Sequence, residues 1–357
     1  MKRILVTGGY GFIGTNFIRY LFGDAGFEGV VINLDKLTYA GNPKNLLDIE
    51  QAHSGTRYFF ERGDIVDAAT IKGIFDKYKI DTIVHFAAES HVDRSIHGPG
   101  EFVQTNIIGT YNLLEAARST IQAGGNIRFH HVSTDEVYGS LGTTGFFTES
   151  SRYDPRSPYS ATKAASDHLV RSYFHTFGVP VTISNCSNNY GPYQFPEKLV
   201  PVMIQNILKG KELPVYGDGK NIRDWLYVED HTHAIWTILN KGVIGETYNV
   251  GGDNEWENIR LVNELCEIVA ELTGGSAGRN KALITFVSDR PAHDRRYAID
   301  CSKIQNELGW KQTVSFREGL RQTADWYITN KAWIDEIESG EYMEWMDKNY
   351  TQRAKLG

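Results

Sequence analysis

The chain has 357 residues, 41% of them hydrophobic, long enough to bury a sizeable core in one large α/β domain plus a smaller lobe. Its formal net charge of −7, with both signs interspersed, argues against nucleic acid or an anionic membrane as the main partner, so any basic site is local. The apolar run at 4–6 is too short for a secretory core, and no later run approaches a membrane span. Cys186, Cys266 and Cys301 are widely spaced with no CxxC, which suggests neither a disulfide framework nor a zinc site; a reducing cytoplasm is the expected location.

In chain order, apolar strands are predicted over 3–7, 30–34, 57–61, 82–86, 127–132 and 181–185, with helices over 12–21, 68–78, 102–117 and 159–177 between them. Continuous apolar strands alternating with helices imply a parallel sheet covered on both faces. After Asn189 the chain turns to loops rich in Gly, Pro and Asn, with no repeat or low-complexity tract. The expected division is a first domain at 1–189, to which a helix–strand piece at 229–252 returns, and a substrate lobe at 190–357. That lobe should close over the carboxyl edge of the sheet, where open α/β sheets bind ligands.

Segment 7-TGGYGFIG-14 follows a strand and opens a helix, with Gly8, Gly11 and Gly14 spaced by three. Glycine is needed where backbone turns tightly and approaches a pyrophosphate, whose charge the helix N-terminus favours. Read alone, such a turn could be a plain strand–helix connection. Asp35 decides for a dinucleotide, because it closes the second strand about 20 residues on, where an acid accepts from ribose hydroxyls. Its charge repels a 2′-phosphate and favours NAD over NADP, a preference that the neighbouring Lys36 tempers. Asp64, in 63-GDI-65, is placed to meet the adenine. The fold class is therefore α/β: a Rossmann-type doubly wound parallel sheet with a smaller mixed α/β C-terminal lobe.

In 159-YSATK-163, four-residue helical spacing puts the Tyr159 phenol and the Lys163 ammonium on one face. A neighbouring cation lowers a phenol from its usual value of about 10, which lets tyrosine exchange protons near neutrality. The same spacing occurs at Tyr216/Lys220, inside a Gly-Asp-Gly loop, and at Tyr327/Lys331, expected on a solvated helix face. Only the first pair follows a hydroxyl-bearing end of the sheet strand that should hold the nicotinamide. That strand ends in 133-STDEVYG-139, where Asp135 and Glu136 place two carboxylates side by side. Without the Tyr/Lys helix they would read as a solvated turn.

Together, TGxxGxxG, YxxxK and an upstream Ser/Thr resemble the extended short-chain dehydrogenase/reductase superfamily. Within it, 87-AAESHVDRS-95, 133-STDEVYG-139, 187-SNNYGPYQFPEKL-199, 223-RDWLYVED-230 and 289-DRPAHDRRY-297 resemble the dTDP-glucose 4,6-dehydratase family; the last block has Ala292 where that family is expected to carry glycine. The resemblance implies an NAD site that also includes Phe12, Ile13, Lys36, Thr38, Ile65, Ala87, Ala88, Thr105, Tyr159 and Lys163. It implies a nucleotide-sugar site at Ser90, Asn188, Lys198, Arg223, Asn258, His293 and Tyr297. Arg suits a bidentate diphosphate clamp, although Lys198, Arg223 and the Arg290/Arg295/Arg296 group also fit ordinary surface charge.

An epimerase of this superfamily needs proton and hydride traffic only at C4. Eliminating water across C5 and C6 also requires a base for the C5 proton and an acid for the C6 hydroxyl, which two adjacent carboxyls with separated pKa values can supply. As the resemblance implies, Thr134 orders the C4 hydroxyl, Tyr159 takes its proton, NAD accepts the hydride and returns it at C6, Glu136 removes the C5 proton and Asp135 protonates the leaving hydroxyl. The rivals are a 4-epimerase or decarboxylase, against which the carboxylate pair speaks, and a non-catalytic NAD-binding regulator, which has no use for an activated phenol. The base (dTDP, UDP or CDP) and the downstream deoxysugar, rhamnose or another, stay open. His85, His91 and His97 have no Cys or carboxylate at ligand spacing, so no metal is expected. Apolar residues around much of helices 102–117 and 159–177 suggest a partner helix pair, hence a homodimer.

Overall fold

In a computed structural model, which describes residues 1–289 and 293–337, the first half of the chain lays down parallel strands from the middle of a sheet outwards. The strands are β1 (Arg3–Thr7), β2 (Val30–Asp35), β3 (Tyr58–Arg62), β4 (Thr82–His85), β5 (Arg128–Thr134), β6 (Val181–Cys186), β7 (Asn188–Tyr190), β8 (Leu213–Tyr216), β9 (Ile222–Tyr227), β10 (Thr247–Val250), β11 (Glu255–Glu257) and β12 (Ile284–Val287). Seven of them form one parallel sheet in the order β10-β6-β5-β4-β1-β2-β3. Successive strand side chains point to opposite faces. Ile4 and Val6 accordingly pack with Phe17, Ile18 and Leu21 of helix Phe12–Phe22, while Leu5 packs with Ile71, Leu113 and Val170 from helices on the other side. Both faces are covered, which is why these strands read as unbroken apolar runs. This is the expected Rossmann-type α/β fold.

The chain runs β1-β2-β3 towards one edge and then returns to place β4 on the other side of β1. The crevice at that reversal, between the carboxyl ends of β1 and β4, is where this architecture binds ligands. Gly8 sits in it with φ +71°, and a Cβ there would lie 2.8 Å from the Ala87 backbone. A Cβ on Gly14 would lie 2.3 Å from the Gly8 carbonyl oxygen. The glycines are therefore set by close approach between turn and helix.

The smaller lobe carries a three-stranded sheet, β11-β9-β7, and a two-stranded sheet, β12-β8. Its core gathers Tyr190, Met203, Ile204, Trp225, Leu265 and Leu320. Helix Val228–Lys241 and β10 return to the main sheet, β10 pairing with β6. A boundary at 189/190 would run through β7, which pairs with β9 in the lobe's sheet. Ile299, Ile304 and Trp310 pack with Tyr248 and Val250, so part of the late chain lies on the main-sheet side.

Two expectations need correction. The 102–117 region is not one regular helix: Pro99–Phe102 leads into a π-helix, Val103–Gly109, before α-helix Thr110–Gln122. Apolar periodicity reports the buried face and cannot distinguish a widened turn from a regular one. Tyr327 is not on a solvated face either. It is 0% exposed on the inner side of helix Phe316–Thr329, and its hydroxyl donates to the Gln194 carbonyl.

Candidate active site

A cavity of about 320 Å³ opens at the carboxyl ends of β1, β4 and β5. The expected dinucleotide residues come together along it: Gly8, Gly11, Phe12, Ile13 and Gly14; Asp35, Lys36 and Thr38; Asp64 and Ile65; Ala87, Ala88 and Thr105. Asp35 is held rigidly, its carboxylate accepting from Tyr10 N at 2.9 Å and Leu37 N at 2.8 Å. Burial pushes this carboxyl upward while those two backbone donors pull it back. The Lys36 ammonium is engaged by Asp64 at 2.7 Å, which weakens its case as a reader of a 2′-phosphate. A backbone-lined turn that excludes any Cβ, with a fixed carboxylate at the next strand end, fits a dinucleotide.

Thr134, Glu136, Tyr159, Lys163, Ser90, Asn188 and Lys198 line the same cavity. Thr134 ends β5 and caps a 3₁₀ turn, Asp135–Tyr138, its hydroxyl accepting from Glu136 N at 3.3 Å. That turn sends two adjacent carboxylates into different surroundings. Asp135 is 1% exposed, with Oδ2 lacking a hydrogen-bond partner among the described residues, whereas Glu136 is only partly buried and faces the cavity. Burial first, then the Glu136 and Asp224 carboxylates, push the Asp135 carboxyl well above the ordinary range, while the Arg223 guanidinium opposes them. A carboxyl so placed is biased towards its protonated form.

Tyr159 lies in the first turn of helix Pro158–Phe177, which Ser157 and Ser160 close with a reciprocal capping box. Here another expectation is corrected. The phenol is not lowered by Lys163; burial, followed by the Glu136 carboxylate, pushes it well above its usual value, with the Thr134 hydroxyl pulling against them. The Lys163 ammonium is 5% exposed and donates to the Val132 carbonyl at 2.8 Å. Four-residue spacing brings two side chains to one helix face, but burial determines their ionisation. Lys163 itself is lowered by burial, opposed chiefly by buried Asp167 one turn further on.

Asp135, Arg223, Asn258, His293 and Tyr297 do not line this cavity. Arg223 on β9 sits 4.3 Å from the Tyr297 ring centroid and donates to the Asp294 carbonyl at 2.9 Å. Tyr297 donates to Asp294 Oδ2 at 2.6 Å. Asn258 opens helix Asn258–Thr273, and its buried Oδ1 has no hydrogen-bond partner among the described residues, like that of Asn188. His293 pairs with Asp289 at 2.6 Å. Lys198 donates to the Ser90 carbonyl at 3.1 Å, joining two expected substrate residues. Arg295 is held by exposed Asp218 and Arg296 by Glu255, both bidentate, so these two guanidiniums are committed to structure. Arg290 and Ala292 lie outside the described residues. Sequence reasoning missed Tyr39, Gln194, Phe195, Glu197 and Cys186 in the lining; only the proximity of Tyr39 to Asp35 and the place of 194–197 in a quoted block hinted at them.

Comparison with known proteins places the whole chain. The family described as GDP-mannose 4,6 dehydratase matches residues 5–323. A dTDP-glucose 4,6-dehydratase of Salmonella typhimurium is 51% identical, covering 98% of this chain and 99% of its own. That of Neisseria meningitidis is 52% identical over 96% of this chain and 98% of its own. The crystal structure of a dTDP-glucose 4,6-dehydratase from Streptomyces venezuelae, with NAD bound, superposes with a TM-score of 0.85 at 45% identity, covering 94% of this chain and 99% of that one. Half-identity along nearly the whole length settles the relationship, and the chain belongs to the dTDP-glucose 4,6-dehydratase family of the short-chain dehydrogenase/reductase superfamily.

Proposed function

We propose that the protein is an NAD-dependent lyase that dehydrates dTDP-glucose to the 4-keto-6-deoxy sugar, an entry step to deoxysugars. The observation that carries this reading is the division of one carboxylate pair at the end of β5 into a buried Asp135 and a cavity-facing Glu136 beside Thr134 and Tyr159. An epimerase needs no such pair. When bound, NAD supplies the acceptor for the C4 hydride and returns it at C6. The chain's own residues do the rest. Thr134 orients the C4 hydroxyl, and Tyr159 takes its proton as a phenolate, a strong base whose formation the upward push makes costly. The 4-keto group then acidifies C5, Glu136 removes the C5 proton, Asp135, biased by burial towards its protonated form, donates to the departing C6 hydroxyl so that water leaves, and C5 regains a proton as C6 is reduced.

On this reading residues 1–187, with 228–252, form the cofactor domain, and most of the remainder forms the sugar-nucleotide lobe. Arg223, Asn188, Asn258 and Lys198 would meet the diphosphate and sugar as the lobe closes on substrate, with Ser90, His293 and Tyr297 completing the set. Exposed Val103, Ile108, Tyr111 and Phe177 on the 103–122 and 158–177 helices favour a homodimer, which sedimentation would test. No helix of the described residues is long and apolar enough to cross a membrane, and the three cysteines are free and buried, as suits a cytoplasmic enzyme.

Incubation with dTDP-, UDP- and CDP-glucose tests the function and the base preference together. A 4-keto-6-deoxy product carrying solvent deuterium at C5, with no net reduction of added NAD, is expected from dTDP-glucose. Formation of the C4 epimer instead would establish the rival reading.

A further inference from the structure

The proposed reaction ends with its cofactor oxidised again, so nothing in the cycle requires the dinucleotide to leave, while the sugar nucleotide must exchange at every turnover. Something should therefore hold one ligand and not the other. Three distant parts of the chain meet at Glu197, which lines the cavity just before lobe helix Leu199–Lys209: Tyr39, also in the lining, from the loop after Asp35, and Arg94 from helix Val92–His97 after β4. Glu197 is 3% exposed, which sets it apart from a solvated surface pair. Its carboxylate accepts from the Tyr39 hydroxyl at 2.9 Å and from Arg94 Nε at 3.3 Å. The Arg94 guanidinium lies 3.7 Å from the Tyr39 ring centroid, and the Phe195 ring meets the same tyrosine edge-on at 5.3 Å.

The root of the Tyr39 loop is tied to the cofactor cradle. Asn42 N donates to the Tyr10 carbonyl at 3.1 Å, and Tyr10 N donates to Asp35 at 2.9 Å. Tyr39 and Glu197 both line the cavity together with the glycine turn. Burial pushes the Glu197 carboxyl upward, while Lys198, Arg94 and Tyr39 draw it back, as expected of a carboxylate held by donors on several sides. A dinucleotide lying along the glycine turn would share its cavity with both ends of the Tyr39–Glu197 bond.

We infer that Tyr39, Glu197 and Arg94 form a clasp between the cofactor domain and the lobe that retains the dinucleotide through successive turnovers. The three act as positioning residues and touch no reacting atom. This rests on the reading of the cavity as an NAD site. Because the Tyr39–Glu197 bond is one interaction with two ends, removing either end should have nearly the effect of removing both.

The test measures release of NAD itself. Intact protein is loaded with labelled NAD, chased with excess unlabelled NAD, and desalted at intervals. Tyr39→Phe, which deletes only a hydroxyl at a part-buried loop position, and Glu197→Gln, which keeps the shape and removes the charge, should each release label roughly tenfold faster or more, the range of a hydrogen bond to a charged group. The double variant should be no faster than the faster single one. Unchanged release in Tyr39→Phe overturns the clasp even if Glu197→Gln fails to fold. Fully additive effects also overturn it, since the two residues would then act separately. A wild-type protein that takes up no NAD would overturn the cofactor reading and the clasp with it; a wild type that binds NAD, with variants that release it normally, removes the clasp alone.

Discussion

The two ends of the cavity are built from different materials. At the proposed cofactor end, glycines follow β1, and Asp35, the side chain expected to meet the ribose, is fixed by two backbone donors. At the catalytic end of β5 the work falls to side chains, all buried or nearly so, whose ionisation is shifted by burial and by one another. Binding a ligand that is the same before and after turnover calls for shape, which backbone supplies rigidly. Moving protons calls for groups whose affinity for a proton has been changed, and that requires burying charge.

The contrast predicts that damage at the catalytic end removes chemistry and spares cofactor binding. Tyr159→Phe should reduce turnover by roughly 10²–10⁴-fold, the range of general acid–base catalysis, with bound NAD unchanged as read from the purified protein. Near-wild-type turnover would break the comparison outright.

The carboxylate pair sharpens it. Glu136→Gln should block entry of solvent deuterium at C5. Asp135→Asn should allow that exchange to continue while product formation falls, by up to a similar 10²–10⁴-fold. A substrate with fluoride at C6 needs less protonation of its leaving group and should rescue Asp135→Asn more than Glu136→Gln. Equal rescue would mean that the two roles are shared or reversed.

At the cofactor end the converse holds. Gly14→Ala puts a Cβ 2.3 Å from the Gly8 carbonyl oxygen and must displace the turn. NAD affinity measured by calorimetry on apo-protein should drop by roughly tenfold or more, about 1.4 kcal/mol. Unimpaired binding would show that the turn tolerates side chains and that shape is not what selects the ligand.

The smallest effect concerns stability. Burial raises Asp135 in the folded chain above its unfolded value, so the native state binds that proton more tightly and loses stability as pH rises through the folded value. Asp135→Asn, which carries no charge to bury, should melt at a higher temperature than wild type at pH 8. The gap should narrow as pH falls towards the ordinary aspartate value of about 4. A gap that is constant with pH would mean that folding leaves this carboxyl's affinity for a proton unchanged, and the acid's role would lose its physical basis.

Much of this was readable in one dimension because the signals are local. Strand–helix alternation, three glycines at a spacing of three and a carboxylate at the next strand end all depend on residues near one another in the chain, and backbone geometry converts such spacing directly into a site. The placement of Tyr159 and Lys163 in one cavity was legible for the same reason, as was the presence of two carboxylates at the end of β5. What those groups do with protons was not. The sequence places Lys163 four residues from Tyr159, but the phenol's upward shift comes from burial and from Glu136 across the cavity. Likewise Asp135 and Glu136 are neighbours in sequence, and only the 3₁₀ turn decides that one is enclosed and the other faces the ligand. Tyr327 was misread because a helix face has no inside until a second element covers it. The Tyr39–Glu197 contact joins residues 158 positions apart and left no trace in any local pattern. Short-range spacing determines where backbone goes, whereas solvent exclusion, and with it the charge state of every group in the cavity, is a property of the assembled molecule.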